Sequence, residues 1–365
     1  MVFPRIVLLS GGLGGARLVT ALSESIAPGH LSVIANTGDD LTWFGMRICP
    51  DIDAILYSLA GLWNAETGWG RRGETFRTRD ALTDLGSPPW FNVGDLDLAF
   101  HLLRTELLNS GKTLTEATSE LARRLRVPGV TVIPASDQPQ ETHVVLQDGR
   151  LLHFQEWYVE EGARPLVRQV CVPGGPASPA ALDALRHADS VIIGPSNPVS
   201  SIGPILSRDG LSDLVRQAQV RIAVSPVVLR AEPPDAVISH HTRARQRLLA
   251  AGGAVDTPEG IARRYADLVQ YYVLDEADSA RVPDIERLGL HPVTCDLLDP
   301  RELARTLTDL SLTVPSLRGH SAGKTPSRTS SGHAARCSRD SAVRLARRLW
   351  PGWGGRAGTV GELAQ

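Results

Sequence analysis

The feature that most constrains this chain is an alternation of two periods. Short apolar runs rich in Val and Ile, beginning with "RIVLLS", give way to a segment of helical period, "ARLVTALSESI". The next apolar run, "LSVIANT", follows a Pro28-Gly29 break. Continuous apolar runs of this kind read as strands buried on both faces, and strand, helix and returning strand make a βαβ unit. The same alternation predicts strands in "GVTVIPAS", "SVIIGPS", "RIAVSPVV" and "QYYVLD", and helices in "PAALDALRHA", "GLSDLVRQAQ", "TPEGIARRYADLV" and "PRELARTLTDLSL". The expected fold is therefore α/β and Rossmann-like: a mostly parallel sheet with helices on both faces. One segment breaks the pattern. "THVVLQDGRLLHFQEWYV" sets Asp148-Gly149 between two apolar stretches, the two-residue signal for a tight turn, so a small antiparallel hairpin insertion is expected over about residues 140–172.

Residues 1–315 read as one such domain. From Ser316 the composition changes: the last fifty residues hold nine Lys or Arg against one Asp and one Glu, a net +7, leaving −9 for residues 1–315 and −2 overall. A basic, low-complexity tail of this kind is expected to be disordered or a stretch translated from a misread frame, with a partner-binding role as the competing reading. An overall charge of −2 supplies no field that would recruit nucleic acid or an anionic membrane, so neither is expected as a partner. No apolar run is long enough to span a bilayer, and "MVFPRIVLLSGG" is interrupted too soon to act as a signal peptide, so a cytoplasmic location is expected. Cys49, Cys171, Cys295 and Cys337 are scattered without a CxxC pair, which indicates neither a disulfide framework nor a zinc site.

The first strand ends in "LLSGGLGGARLV". Glycines between a strand and a helix let the backbone approach a ligand closely, and the free N–H groups at the helix start favour a phosphate, which makes Gly11, Gly12, Gly14 and Gly15 candidate binding residues. Arg17 occupies the place of the third glycine of a dinucleotide fingerprint, and the Gly-Lys-Ser/Thr ending of a P-loop is absent. The second strand ends in "ANTGDD", bringing Asn36, Asp39 and Asp40 to the same carboxyl edge. Carboxylates beside a phosphate repel it unless a divalent cation lies between, and Mg²⁺ suits hard oxygen donors.

Further candidates follow. In "MRICPDIDAILYSLAG", Asp51 either caps a helix or serves the site, and Asp53 either complements the helix dipole or joins the acidic cluster. In "PPWFNVGDLDLAFHLLRTELL", Trp90 and Phe91 are core or the wall of an aromatic pocket. Asp95 is an N-cap or a functional acid, Leu98, Leu102 and Leu103 point inward, and His101 with Arg104 either meets a phosphate or forms a surface pair. In "VIIGPSNPVSSIGPIL", the stiff loop of Gly194, Ser196 and Asn197 offers donors and acceptors suited to a nucleobase or sugar.

Together, "LSGGLGGARLV", "NTGDD", "RICPDIDAILYSLAG", "GWG", "WFNVGDLDLAFHLLRT", "HFQEWYV", "IIGPSNPVSSIGPIL" and "AVSPVV" resemble, in this order and from about residue 5 to 310, the 2-phospho-L-lactate transferase family of coenzyme F420 biosynthesis. The resemblance implies transfer of a phospholactyl or phosphoenolpyruvyl group from a guanosine diphosphate-linked donor to the ribityl hydroxyl of the deazaflavin Fo. The products would be F420-0 or its dehydro form and GMP, with Mg²⁺ as cofactor and a homodimer as precedent. It further implies that Gly11 to Gly15 cradle the donor phosphates, that Asp39 and Asp53 hold the metal, and that the Gly194 to Pro198 loop helps hold guanosine. Asp53 with Asn92 would face Fo, whose pocket Trp90, Phe91, Gly94 and Asp95 would line. Asp51 or Asp95 is a candidate base, and Asp51, Asp53 and Asp95 form the expected catalytic set. The chain departs from the family after "AVSPVV", where a segment containing Lys-Gly-Pro-Ala is replaced by "LRAEPPDAVISHHTRARQRLLAAGG". Two rivals are a nucleotide-sugar-binding regulator of the gluconeogenesis-factor type, whose Gly-Gly-Ser-Ser-Gly run is absent after Asp40, and a nicotinamide dehydrogenase, disfavoured by the broken glycine pattern.

Overall fold

Strand β1 (Ile6–Ser10) is buried at every position and passes through Gly11 into α1 (Gly12–Ser25), after which β2 (Leu31–Ala35) returns parallel to it. These are the first elements of a computed structural model that describes residues 3–64, 66–87, 90–229 and 239–313. The basic tail, Cys337 and residues 230–238 of the departing segment lie outside the described residues. A short hairpin of β3 (Leu41–Trp43) and β4 (Met46–Ile48) follows, then α2 (Pro50–Leu59), α3 (Arg77–Asp84), α4 (Asp95–Asn109), α5 (Leu114–Arg124) and β5 (Val130–Pro134). The insertion holds β6 (His143–Leu146), β7 (Leu151–His153) and β8 (Val167–Cys171). The second half runs α6 (Pro179–Arg186), β9 (Ser190–Ile193), α7 (Ile202–Leu206), α8 (Leu211–Gln217), β10 (Val220–Val224), α9 (His240–Ala251), α10 (Pro258–Tyr265), β11 (Tyr271–Asp275), α11 (Val282–Glu286), β12 (His291–Cys295) and α12 (Pro300–Leu312).

The main sheet has the order β12-β11-β10-β9-β1-β2-β5, and every neighbouring pair is parallel. Side chains alternate across it, as a pleated strand requires. Val7 and Leu9 join the core under α6 to α11 and the insertion, whereas Ile6 and Leu8 join the core under α1, α2, α4, α5 and α12. The chain walks from β1 outward through β2 to β5, then returns to β9 on the other side of β1. The turns leaving β1 and β9 therefore diverge, and a crevice opens between them at the carboxyl edge, where α/β sheets bind ligands.

Several elements differ from the sequence reading. The Asp148-Gly149 turn forms as expected, with Gly149 at φ 92°, but the stretch after it leaves the sheet at His153 and winds into a π-helical turn, Glu156–Glu160. Phe154 and Trp157 are three apart, a helical spacing, and both are buried. The β3–β4 hairpin turns on Phe44 and Gly45, both at positive φ, and Phe44 in that region is conformationally strained. Finally, α4 turns its leucines inward only in part, Leu98 and Leu103 packing at the edges of two cores and Leu102 facing out. Its buried residues are Asp97, Phe100, His101 and Arg104, while Leu102 is exposed and Leu98 and Leu103 are partly buried.

Candidate functional site

The crevice between the β1 and β9 turns widens into a cavity of about 730 Å³, within the range of small-molecule sites. Its floor is the glycine turn. Gly12 lies at φ 64°, open to glycine at no steric cost, and a Cβ on Gly14 would stand 2.6 Å from the Pro195 carbonyl oxygen. A Cβ on Gly11 would meet Asp51 Oδ2 at 2.4 Å. The turn thus needs glycine at Gly11 and Gly14 to pack against α2 and the β9 loop.

Asp51 is not a helix cap. Cys49 is the N-cap residue of α2 and Pro50 its first helical residue. The Asp51 carboxylate reaches across instead, accepting from Gly12 N at 2.7 Å and from Asn36 Nδ2 at 2.8 Å. The same Asn36 amide donates to Asp39 at 3.0 Å and to the Ser200 carbonyl at 3.1 Å, and its Oδ1 accepts from Gly38 N. Asn36, expected to touch a ligand, is fully buried and ties three loops together. Asp39 and Asp51 line the cavity beside each other with 6% and 4% of their surface exposed. Burial, followed by the neighbouring Asp51 charge, raises Asp39 well above the ordinary carboxylate range, and burial raises Asp51 to about 6. Two buried carboxylates held together by neutral donors form a donor set that fits a divalent cation, because a cation relieves both the burial and the repulsion.

Asp53 takes the opposite course. It accepts from Arg104 Nη1 at 3.0 Å and makes a second, shorter contact with Nη2, with His101 Nδ1 at 3.6 Å. His101 and Arg104 are buried on α4, so they are neither a surface pair nor a phosphate clamp, and burial pushes His101 down to about 4. Asp53 does not line the cavity, and the fold pairs Asp39 with Asp51 rather than with Asp53. Asp40, the second acid of its pair, is buried against Arg47 at 3.2 Å and raised by that burial to about 7. Among the described residues no group of three or more His, Cys, Asp or Glu side chains is arranged to hold a metal ion.

Asp95 also leaves the expected set. Gly94 is the N-cap residue of α4, where a Cβ would collide with the Glu74 carboxyl, and Asp95 points to the start of α3. It accepts from Arg77 N and Thr78 N at 3.1 Å each and from Thr75 Oγ1, and these bonds, the Thr75 one foremost, lower its pKa far below the usual range. Such an acid is a poor base. Phe91 and Asn92 line the cavity, while Trp90 packs with Phe91 into the small core of the β3–β4 hairpin. Asn92 is exposed and accepts from Arg79 Nη1 at 3.3 Å.

Around the β9 loop, Ser196 and Asn197 line the cavity but spend their side chains on the fold. Ser196 Oγ accepts from Gly11 N at 3.0 Å, and Asn197 Oδ1 accepts from Val199 N and Ser200 N. Gly194 directly follows β9, its N–H on the Leu9 carbonyl. The cavity also takes residues that the sequence reading passed over: Arg17, Trp63, Trp69, Tyr158, His241 and Arg245. Trp69 belongs to the "GWG" motif, and Tyr158 follows the helical spacing of Phe154 and Trp157, the two sequence signals that point to this wall of the cavity.

Residues 6–311 match the family described as 2-phospho-L-lactate transferase CofD. A phosphoenolpyruvate transferase of Streptomyces griseus is 38% identical over 296 residues, covering 78% of this chain and 90% of the relative. One from Thermobifida fusca is 40% identical, covering 76% and 88%, and a 2-phospho-L-lactate transferase of Methanospirillum hungatei is 40% identical, covering 78% and 93%. Among solved structures, a Bacillus halodurans member of the upf0052 family superposes with a TM-score of 0.52 at 18% identity, covering 86% of this chain and 99% of that one, a likeness of fold. Among the described residues no helix is long and apolar enough to cross a membrane. The family match over residues 6–311, with 38–40% identity to relatives covered to 88–93% of their length, makes this chain a member of the 2-phospho-L-lactate transferase family and a transferase.

Proposed function

We propose that the protein transfers a three-carbon phospho-acid from a guanosine diphosphate-linked donor to the ribityl hydroxyl of Fo, releasing GMP. The observation that carries this reading is the Asp39–Asp51 pair, buried beside the glycine turn, bonded to the neutral amides of Asn36 and Gly12 and open to a cavity with aromatic walls. The names of the Streptomyces and Thermobifida relatives favour enolpyruvate over lactate as the acid carried.

The reaction is attack by a primary alcohol on a diphosphate phosphorus, so positioning and neutralisation of developing charge supply most of the rate. Asp39 and Asp51 would hold Mg²⁺, which when bound would neutralise phosphate charge. The amides of Gly11 and Gly12 are already committed to Ser196 and Asp51, which leaves the donor phosphates to the rest of the turn and to Arg17. Trp63, Trp69 and Phe91 give the deazaflavin flat apolar faces. Of the two candidate bases, Asp51 lines the cavity and Asp95 does not.

The test is titration of the full chain with Fo, followed by its fluorescence, with and without GDP and Mg²⁺. Saturable binding that tightens with both additions is the expected result. Failure to bind Fo, together with clear binding of a nucleotide sugar, would replace this reading with that of a nucleotide-sugar-binding regulator.

A further inference from the structure

Two cavity residues outside the acidic cluster are joined to each other. Tyr158 stands on the π-helical turn of the insertion, His241 in the first turn of α9, and the phenol oxygen Oη makes a short hydrogen bond with His241 Nδ1. A π-helical turn is rare and tends to occur where a function holds a side chain in place. Here it is anchored by Trp157, which is fully buried and donates Nε1 to the Pro165 carbonyl at 3.1 Å.

The Tyr158 ring is clamped as well. It stacks on Phe154 with centroids 5.4 Å apart and planes at 13°, and on His240 at 4.2 Å and 15°. Swinging the hydroxyl away from His241 would break both stacks. Burial first, and then the Asp39 and Asp51 charges, raise the phenol above its ordinary range, so Tyr158 keeps its proton. In the tautomer of the neutral imidazole that carries its proton on Nε2, Nδ1 of His241 accepts from that phenol. His241 itself is exposed, so its ring is open to solvent.

We infer that Tyr158 and His241 form the proton outlet of the transfer reaction, an inference that rests on the reaction proposed above. The ribityl oxygen forms its bond to phosphorus, and the bridging P–O bond breaks with its electron pair leaving on GMP. The hydroxyl proton passes to Tyr158 Oη while the phenol proton passes to His241 Nδ1, and the imidazolium so formed discharges to solvent. Among the described residues, the titratable and charged groups around the pair are His240, Arg243 and Arg245 on α9, with Asp39 and Asp51 acting on Tyr158 from the cavity floor. The arrangement separates the duties of the site: the carboxylate pair for a cation, the phenol–imidazole pair for the proton.

The pH profile of kcat in the full chain, with Fo binding measured separately by fluorescence, tests this. At saturating Mg²⁺, which favours the ionised Asp39–Asp51 pair, wild-type kcat is expected to fall on the acid side with an apparent pKa below the ordinary histidine value, because partial burial lowers His241. His241→Ala should lower kcat by about 10²-fold or more, abolish that limb, leave Fo affinity unchanged and recover turnover with added imidazole. Tyr158→Phe keeps the stacked ring and should lower kcat similarly, without rescue by imidazole. The outlet is overturned if both variants retain wild-type kcat and its acid limb, or if His241→Ala loses Fo binding in proportion to turnover. A wild-type protein that binds Fo and the guanosine donor but transfers nothing would instead overturn the reaction itself, and the outlet with it.

Discussion

Asp51 and Asp53 stand two residues apart in the first turn of α2, equally buried, and meet opposite surroundings. Two residues of helix turn a side chain by roughly 200°, so one faces the glycine turn and the other faces α4. Asp53 receives a buried guanidinium from Arg104. Asp51 receives the neutral amides of Gly12 and Asn36 and a second carboxylate, Asp39. On the function proposed above, the acid matched by a guanidinium belongs to the architecture and the unmatched one at the cavity wall belongs to the site.

The comparison breaks most readily at Asp53. Asp53→Asn leaves Arg104 buried without its counter-charge and should cost about 3–5 kcal/mol of stability, read as a lower denaturant midpoint, with turnover lost through unfolding and not restored by Mg²⁺. Replacing both partners, Asp53→Leu with Arg104→Met, should cost much less than the single change. A stable Asp53→Asn that had lost turnover at every Mg²⁺ concentration would move Asp53 into the site.

Asp51→Asn should show the reverse pattern: turnover lower by about 10²- to 10³-fold, with a melting temperature no lower than wild type, because the change relieves repulsion with Asp39. A destabilised Asp51→Asn with undiminished kcat would show that the two acids have been assigned the wrong way round.

The same contrast has a pH signature. Asp51 is raised from 3.8 to about 6 in the folded protein, so between those values the folded state binds more protons than the unfolded one and stability falls as pH rises. Relative to Asp51→Asn, wild type should therefore lose melting temperature between about pH 4 and pH 6, and lose more above that as Asp39 ionises beside the charged Asp51. His101, held near 4 by burial, works in the opposite direction but is common to both proteins and drops out of the difference. Mg²⁺ should flatten the difference, since it favours the ionised pair. A difference that is flat without Mg²⁺ would mean that Asp51 is already compensated.

The contrast between these two acids could not be read from spacing. The alternation of periods revealed β1, β2, β5, β9, β10 and β11, and glycines after β1 with a proline-bounded loop after β9 marked both lips of the crevice. β12 escaped because "HPVTC" carries a proline and fully buries one residue, Cys295. The roles of Asp51 and Asp53 depend on which helix faces each one, and the partner that decides Asp53 lies 51 residues away on a helix whose inward face is polar. The leucines of α4 suggested a different inward face, and with it a surface position for His101 and Arg104. His241 lies in the segment where the family resemblance lapses, so its partnership with Tyr158 is a product of folding alone.

Asp95 gives the smallest expected effect and the sharpest control. It is the third acid of the anticipated catalytic set and the least buried, and its bonds to Thr75, Arg77 and Thr78 secure the start of α3, a helix with no buried residue of its own. Asp95→Asn keeps an acceptor for those amides and should lower the melting temperature slightly, with kcat and Fo affinity unchanged. The bonds that secure α3 also hold the carboxylate ionised far below neutral pH, so it has little tendency to take a proton during turnover. If Asp95→Asn instead lost turnover while remaining folded, this solvent-facing acid would reach the substrate, and an unmatched charge in a buried setting would no longer be what distinguishes the working carboxylates from the structural ones.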